Sequence, residues 1–186
     1  VYGEDFCTAI APSSVEDKVK EMLEGVGIEE PMTMHQGNEK SRNEFDGENV
    51  GLVIGCIDPG DDYVLNLLAA HGLDAEPETM ECIVCEGEGC ANCDGDGHHR
   101  NRGRGFEGPD AEEAEEILAG IREAHTAQCV GRWARDADDP DNEAVVYVRT
   151  DAIPEHLVDE KVSGFEGFGQ KQKAAVDHLR GSPGAT

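Results

Sequence analysis

Short apolar runs alternate with amphipathic segments along most of the chain. The apolar runs predict buried strands at 6–11, 49–56 and 143–150, and a weaker strand at 31–35. Helical spacing of apolar residues predicts helices over 12–27, 61–72 and 111–135. Ser13, with Glu16 three residues later, predicts a capping box at the start of the first helix. This order of elements predicts an α/β fold with a mostly parallel sheet and flanking helices.

The apolar face of the predicted third helix leads into a polar row. Ala114, Ile117, Ile121 and Ala124 are spaced as one helix face. Continuing the helix at about 3.6 residues per turn places three more residues on that stripe, namely Gln128, Arg132 and Arg135. Burying unpaired arginines costs several kcal/mol each. We therefore expect this helix end to be exposed or to meet an anionic group.

The length of 186 residues fits one domain that carries an insertion. The sequence contains neither an apolar run of membrane-spanning length nor a signal-peptide pattern at its start, so we expect a cytoplasmic protein. The chain begins with Val1 and stops soon after a helix-like segment, which suggests a piece of a longer protein, or a non-standard start codon translated literally.

Acidic residues are distributed over the whole chain. Asp and Glu number 41 against 15 Lys and Arg, giving a formal net charge of -26. Distributed acidity on a globular pattern is typical of proteins adapted to high salt, where self-repulsion is screened. It suggests a halophilic archaeal protein, with an ordinary acidic domain or a DNA mimic as alternatives.

Four of the seven cysteines form two closely spaced pairs, each followed by x-Gly-x-Gly: Cys82, Cys85, Cys90 and Cys93. Two C-x2-C knuckles provide one complete tetrahedral thiolate shell, which suits structural Zn²⁺. Two disulfides, an iron–sulfur cluster or a solvated loop are the alternatives, and His98 or His99 could replace a cysteine ligand. The doubled CxxCxGxG resembles the cysteine-rich module of J-type chaperones over residues 82–97.

The remaining cysteines, Cys7, Cys56 and Cys129, are isolated on apolar segments and are interpreted as buried small hydrophobes. Just after the knuckles, three arginines alternate with Asn and Gly: Arg100, Arg102 and Arg104. Such a cationic loop could hold nucleic-acid phosphates. A solvated linker that balances local acid is an equal alternative.

The stretch QCVGRWAR, residues 128–135, has the form Q-x-x-G-R-x-x-R. It resembles motif VI on the second RecA-like domain of superfamily-two DNA/RNA helicases. The segment 6–25 is similar in position to motif IV. The segment 35–62 resembles the motif V region of divergent helicases from haloarchaeal plasmids or viruses. The resemblance covers most of residues 5–155, with the knuckles as an insertion.

The resemblance implies that Arg132 and Arg135 are arginine fingers and that Gln128 orients the nucleotide or couples it to motif V. The alternative is that both arginines pair with the acidic residues that follow them, Asp136, Asp138 and Asp139. The resemblance also implies that Ser41, Arg42 and Asn43 line a loop that faces nucleic acid or nucleotide, and that DNA or RNA is the partner. ATP and Mg²⁺ would bind only with a missing P-loop domain, because the sequence has no GxxxxGK[ST] pattern. The chain alone should then be inactive. The competing class is a non-enzymatic zinc-ribbon module that binds nucleic acid or protein.

These expectations divide the chain into four segments. Residues 1–79 and 106–158 would form the two parts of a RecA-like domain, and 80–105 the zinc-knuckle insertion with its Gly/Arg linker. Residues 159–186 would hold a linker and the start of a winged helix, or an ordinary terminal helix.

The charge distribution generates a prediction about salt. If the acidity is halophilic adaptation, the melting temperature should rise as KCl approaches molar concentrations, because screening relieves repulsion among carboxylates. Thermal unfolding followed by circular dichroism in dilute buffer and in molar KCl measures this. An unchanged or lower melting temperature in molar KCl would contradict the halophilic interpretation.

Overall fold

The structure is a computed structural model that describes residues 6–39, 43–101, 103–133 and 143–162. The expected winged-helix start and the residues Ser41, Arg42, Arg102 and Arg135 lie outside the described residues. None of the helices in the described part of the chain has the length and apolar character needed to cross a bilayer.

The regular elements follow one another in a simple order. They are β1 (Thr8–Ala11), α1 (Glu16–Gly25), β2 (Met32–His35), β3 (Val50–Ile54), α2 (Asp61–Ala70), β4 (Glu76–Pro77), β5 (Thr79–Glu81), a 3-10 turn (Ala91–Cys93), β6 (His98–Arg100), β7 (Phe106–Glu107), α3 (Ala111–Val130), β8 (Val145–Arg149) and a second 3-10 turn (Glu155–Leu157).

Four of the strands form a parallel sheet in the order β2-β1-β3-β8. In its centre Ile10 is aligned with Met34 on one side and with Val53 on the other. Strand β3 pairs along its full length with β8. The predicted α/β class with a parallel sheet is therefore confirmed. Strands β4 and β7, and β5 and β6, form two small antiparallel ladders outside this sheet.

Side chains that alternate along β1 are buried against opposite helical layers. Ala9 and Ala11 pack with Val19 and Leu23 of α1. Ile10, between them, belongs to the cluster that contains the end of α3. Period-two alternation of a strand explains this division, and it places helices on both faces of the sheet. Helix α2 packs on the first half of α3 in a separate apolar cluster.

Trp133 fixes the segment that follows α3 to the sheet. Its Nε1 donates a 2.7 Å hydrogen bond to Oγ1 of Thr8, and that hydroxyl donates to the carbonyl of Val50 at 2.8 Å. The indole stacks on Phe45 with ring centroids 5.1 Å apart and lies against Gly51. The indole and the hydroxyl therefore connect the end of α3 to β1 and β3.

The third helix differs from its prediction in length and in rotation. It ends at Val130, not at residue 135, because the chain turns at Gly131 and carries Trp133 back to the sheet. Its buried row holds Ala114, Leu118, His125 and Cys129, whereas Ala124 and Gln128 are exposed. The stripe expected through Ala124 and Gln128 was therefore wrong.

The first helix also begins differently from its prediction. It starts at Glu16 after Val15, and no side chain caps it, so the predicted capping box at Ser13 is wrong. The carboxylate of Glu16 instead reaches the neighbouring strand β2. There it accepts hydrogen bonds from Oγ1 of Thr33 at 3.3 Å and from Nδ1 of His35 at 3.0 Å.

The surroundings of two glycines, one packed against Trp133 and one exposed, predict opposite effects of a Gly→Ala substitution on stability. A Cβ added at Gly51 would lie 2.1 Å from Cε2 of the indole, so Gly51→Ala should lower the free energy of unfolding by about 1–3 kcal/mol. Gly120 is exposed inside α3 with no atom within 4 Å of an added Cβ. Gly120→Ala should therefore stabilise by about 0.5–1 kcal/mol.

Denaturant unfolding of both variants beside the parent chain measures the two effects. Equal stability of Gly51→Ala and the parent would contradict the packing described for Trp133.

Candidate metal centre

The four paired cysteines are held on the insertion between α2 and α3. Strands β5 and β6 form its base, with Glu81 opposite His98. The ladder continues as the N–H of Cys82 donates to the carbonyl of Gly97 at 2.8 Å. A 3-10 turn then positions Cys90 and Cys93. Local turns and one short hairpin therefore bring together thiols that are close in sequence.

The spacing of the four sulfurs fits a tetrahedral metal shell. Sγ–Sγ distances are 3.9 Å for Cys82–Cys90, 3.7 Å for Cys85–Cys93 and 3.8 Å for Cys90–Cys93. A zinc ion with Zn–S bonds of about 2.3 Å sets the sulfur–sulfur edges at about 3.8 Å. All seven cysteines of the chain are free thiols, so the disulfide alternative is not realised. The insertion is thus a candidate site for a metal ion.

The backbones of the two knuckles lie in close contact with each other at their glycines. A Cβ on Gly89 would lie 2.4 Å from the carbonyl oxygen of Gly95, and one on Gly97 would lie 2.2 Å from that of Gly87. Each Gly-x-Gly segment therefore packs on the other. This contact explains why the glycines follow each pair of cysteines at the same spacing.

Backbone N–H groups point at two of the sulfurs. Gly89 N–H donates to Sγ of Cys85 at 3.2 Å, while Cys90 and Gly97 N–H donate to Sγ of Cys93 at 3.2 and 3.3 Å. Burial would raise the pKa of Cys93, but these donors outweigh it and lower the pKa to about 6. Burial and the neighbouring thiols raise the pKa of Cys85 to about 12. The pKa values of these two neighbouring thiols therefore differ sharply. A bound cation would favour the thiolate form of all four cysteines.

Two arginines attach the insertion to the start of α2. Arg100 donates to Oδ2 of Asp61 at 3.0 Å and to the carbonyls of Glu78 and Gly105. Arg104 donates to Oδ1 of Asp61 at 2.8 Å and also contacts Asp58. Burial would raise the pKa of Asp61, but the two guanidinium groups outweigh this and hold that pKa below its usual value. Both arginines, expected to face nucleic acid, are therefore engaged within the chain.

The other predicted site residues are dispersed. Gln128 is exposed on the last turn of α3, and Arg132 is half-buried in the turn after it. Asn43 is exposed before β3. His98 and His99 lie on β6 and do not belong to the four-sulfur group. The roles of Gln128, Arg132 and Asn43 toward nucleotide and nucleic acid remain predictions.

The isolated cysteines do not share one environment. Cys7 and Cys56 are only half-buried, and Sγ of Cys7 contacts Oε2 of Glu48 at 3.2 Å. Cys129 is fully buried, as expected. Burial raises its pKa to about 12, with the Glu39 carboxylate adding to this and Arg132 opposing it.

A buried cluster of three polar residues was not predicted from the sequence. Glu39, His125 and Cys129 place potential metal-ligand atoms within 4.8 Å of one another. The H-x3-C spacing shows that His125 and Cys129 share a helix face. Nothing in the sequence pattern joins Glu39 to them.

Searches against family models, curated proteins and solved structures found no match to this chain. Its function is therefore inferred from its own sequence pattern and site geometry.

The knuckle geometry predicts one bound zinc at the four thiols. Cys85→Ser should lose about one equivalent of zinc and disorder residues 80–105, while the parallel sheet persists because other segments build it. Elemental analysis and hydrogen exchange measure the two effects. Cys56→Ser, which removes a half-buried thiol elsewhere, is the control and should keep its zinc. Equal zinc content in the parent and Cys85→Ser would contradict the site.

Proposed function

We propose that this chain is the C-terminal motor half of an ATP-dependent nucleic-acid helicase or translocase. The observation that carries the proposal is the Q-x-x-G-R-x-x-R pattern of residues 128–135, which begins in the last turn of α3, a helix whose end packs on the parallel sheet. ATP and Mg²⁺ would be bound by a separate P-loop domain. This half would supply positive charge to the γ-phosphoryl group.

The surroundings of Arg132 suit a group that must be held in a fixed position. Its backbone N–H donates to the carbonyl of Cys129 at 3.1 Å, and Trp133 follows it directly. Both neighbours are buried, at 0% and 3% exposure. The backbone that carries the guanidinium is therefore positioned by core packing, which favours electrostatic stabilisation without reorganisation.

Two further features bear on the proposal. Gln128 is exposed about one turn before Arg132, where it can contact a partner domain. Arg100 is paired with Asp61, and Arg104 with Asp58 and Asp61. The remaining candidates for phosphate contacts in this proposal are therefore Ser41, Arg42, Asn43 and Arg102.

A second candidate function is a zinc-stabilised protein-interaction module. Ile83 and Val84, between the first two cysteines, are 85% and 63% exposed, and Met80 on β5 is 44% exposed. The neighbouring residues Glu81, Glu86 and Glu88 are acidic. An apolar tip with an acidic border favours a protein partner over a polyanion.

The helicase proposal predicts a rate effect at Arg132. Joined to a P-loop half, in one chain or by mixing, Arg132→Ala should reduce nucleic-acid-stimulated ATP hydrolysis by at least ~100-fold. Nucleotide affinity should fall far less, because the guanidinium meets charge that develops in the transition state. Arg132→Lys should restore little, because an ammonium lacks the bidentate fork. Steady-state kcat and nucleotide binding are the measurements.

Arg149→Ala is the matched control, since Arg149 is exposed at the end of β8 and should not alter turnover. Near-wild-type turnover of folded Arg132→Ala would reject the helicase proposal and favour the interaction module.

A further inference from the structure

Three side chains of different ligand chemistry meet in the interior, away from the knuckles. Oε1 of Glu39 lies 2.9 Å from Nε2 of His125. On the other side of the imidazole, Nδ1 lies 3.6 Å from Sγ of Cys129. Glu39 and Cys129 are fully buried, and the His125 side chain is only 7% exposed. Glu39 comes from the turn after β2, whereas the other two lie one turn apart on α3.

The contact between carboxylate and imidazole leaves both groups unsatisfied. Although the two atoms are close enough for an ion pair, they are not aligned as a hydrogen bond. Within the described ranges, neither Oε1 of Glu39 nor Nε2 of His125 has another hydrogen-bond partner. Only the second oxygen of Glu39 is satisfied, by the N–H of Gly37 at 2.5 Å. A buried polar group without an aligned partner is costly and calls for an explanation.

We propose that Glu39, His125 and Cys129 bind a second metal ion, and the donor set favours zinc. A carboxylate oxygen, an imidazole nitrogen and a thiolate are all zinc ligands in proteins. The ion would satisfy Oε1 and one imidazole nitrogen directly. Its two positive charges would balance the charges of the carboxylate and the thiolate.

The arrangement of the chain suits such a site. Spacing of four residues on α3 presents His125 and Cys129 on one face, and the packed helix holds them in place. The candidate ligand atoms lie within 4.8 Å of one another, and a rotation of the His125 ring would turn one of its nitrogens toward an ion shared with Glu39 and Cys129. Three protein ligands leave the fourth tetrahedral position for water or another donor.

The same order of groups, thiol to imidazole to carboxylate, could instead describe a nucleophilic cysteine. The burial of Cys129 argues against that interpretation. Its exposure is 0%, whereas a cysteine nucleophile must be accessible to its substrate. A metal ion needs no such opening once it is bound.

The second site does not depend on the helicase proposal, because its test requires only this chain and metal. The chain is prepared with excess Zn²⁺, dialysed, and analysed for bound metal. We expect about two zinc ions per chain in the parent, about one in Cys129→Ser, and about two in the control Cys56→Ser. A residual one in the Cys82→Ser/Cys85→Ser double variant that is lost when Cys129→Ser is added would identify the site outside the knuckles.

Cobalt substitution gives a second, spectroscopic readout of the same site. In the Cys82→Ser/Cys85→Ser variant, bound Co²⁺ should show thiolate-to-metal charge transfer, and adding Cys129→Ser should abolish it. A parent chain with only one zinc would overturn the proposal and leave Glu39 and His125 as a buried ion pair. So would two zinc ions retained by Cys129→Ser, or a double variant in which Co²⁺ shows no charge transfer.

Discussion

The hydrogen bond from Trp133 to Thr8 determines how the last long helix meets the sheet. The indole donates to the Thr8 hydroxyl, the hydroxyl donates to the Val50 carbonyl, and Gly51 leaves room for the ring. Each buried hydrogen bond contributes about 1 kcal/mol net, but an unpaired donor or acceptor here would cost more. The chain must therefore leave α3 early enough for Trp133 to reach β1 and β3. That requirement explains why the helix ends at Val130.

The same constraint sets the rotation of α3 and hence which polar groups are buried. With the helix end fixed, His125 and Cys129 face the sheet side while Gln128 faces solvent. Arg132 then lies in the turn after α3, with buried Cys129 three positions before it and buried Trp133 directly after it, and not on an exposed helical row. The buried row of α3 is therefore shifted by about one residue from the stripe predicted from the sequence. Small apolar residues such as Ala124 fit either face, so periodicity alone does not fix helix rotation.

The sequence predicts the features that residues close together in the chain determine, and it misses those that depend on contacts between distant residues. Strands β1, β3 and β8 are short apolar runs, and the four thiols lie within twelve consecutive residues, so both the parallel sheet and the candidate zinc shell are predictable. The Trp133–Thr8 bond joins residues 125 positions apart, and Glu39 meets His125 across 86. No spacing rule reports contacts of that kind. The roles of Arg132 and Gln128 depend on a partner domain and lie beyond both sequence pattern and fold.

Because basic residues are few in this chain, its own carboxylates compete for them as partners. With 15 basic residues against 41 acidic ones, a basic stretch read from the sequence has carboxylates close at hand. Arg100 and Arg104 illustrate the result, since both are bound to Asp61 and fasten the cysteine insertion to α2. Such partly buried pairs are worth more as anchors than exposed pairs, because salt screens them less. In a strongly acidic protein, an arginine-rich stretch of sequence therefore does not by itself indicate a phosphate-binding surface.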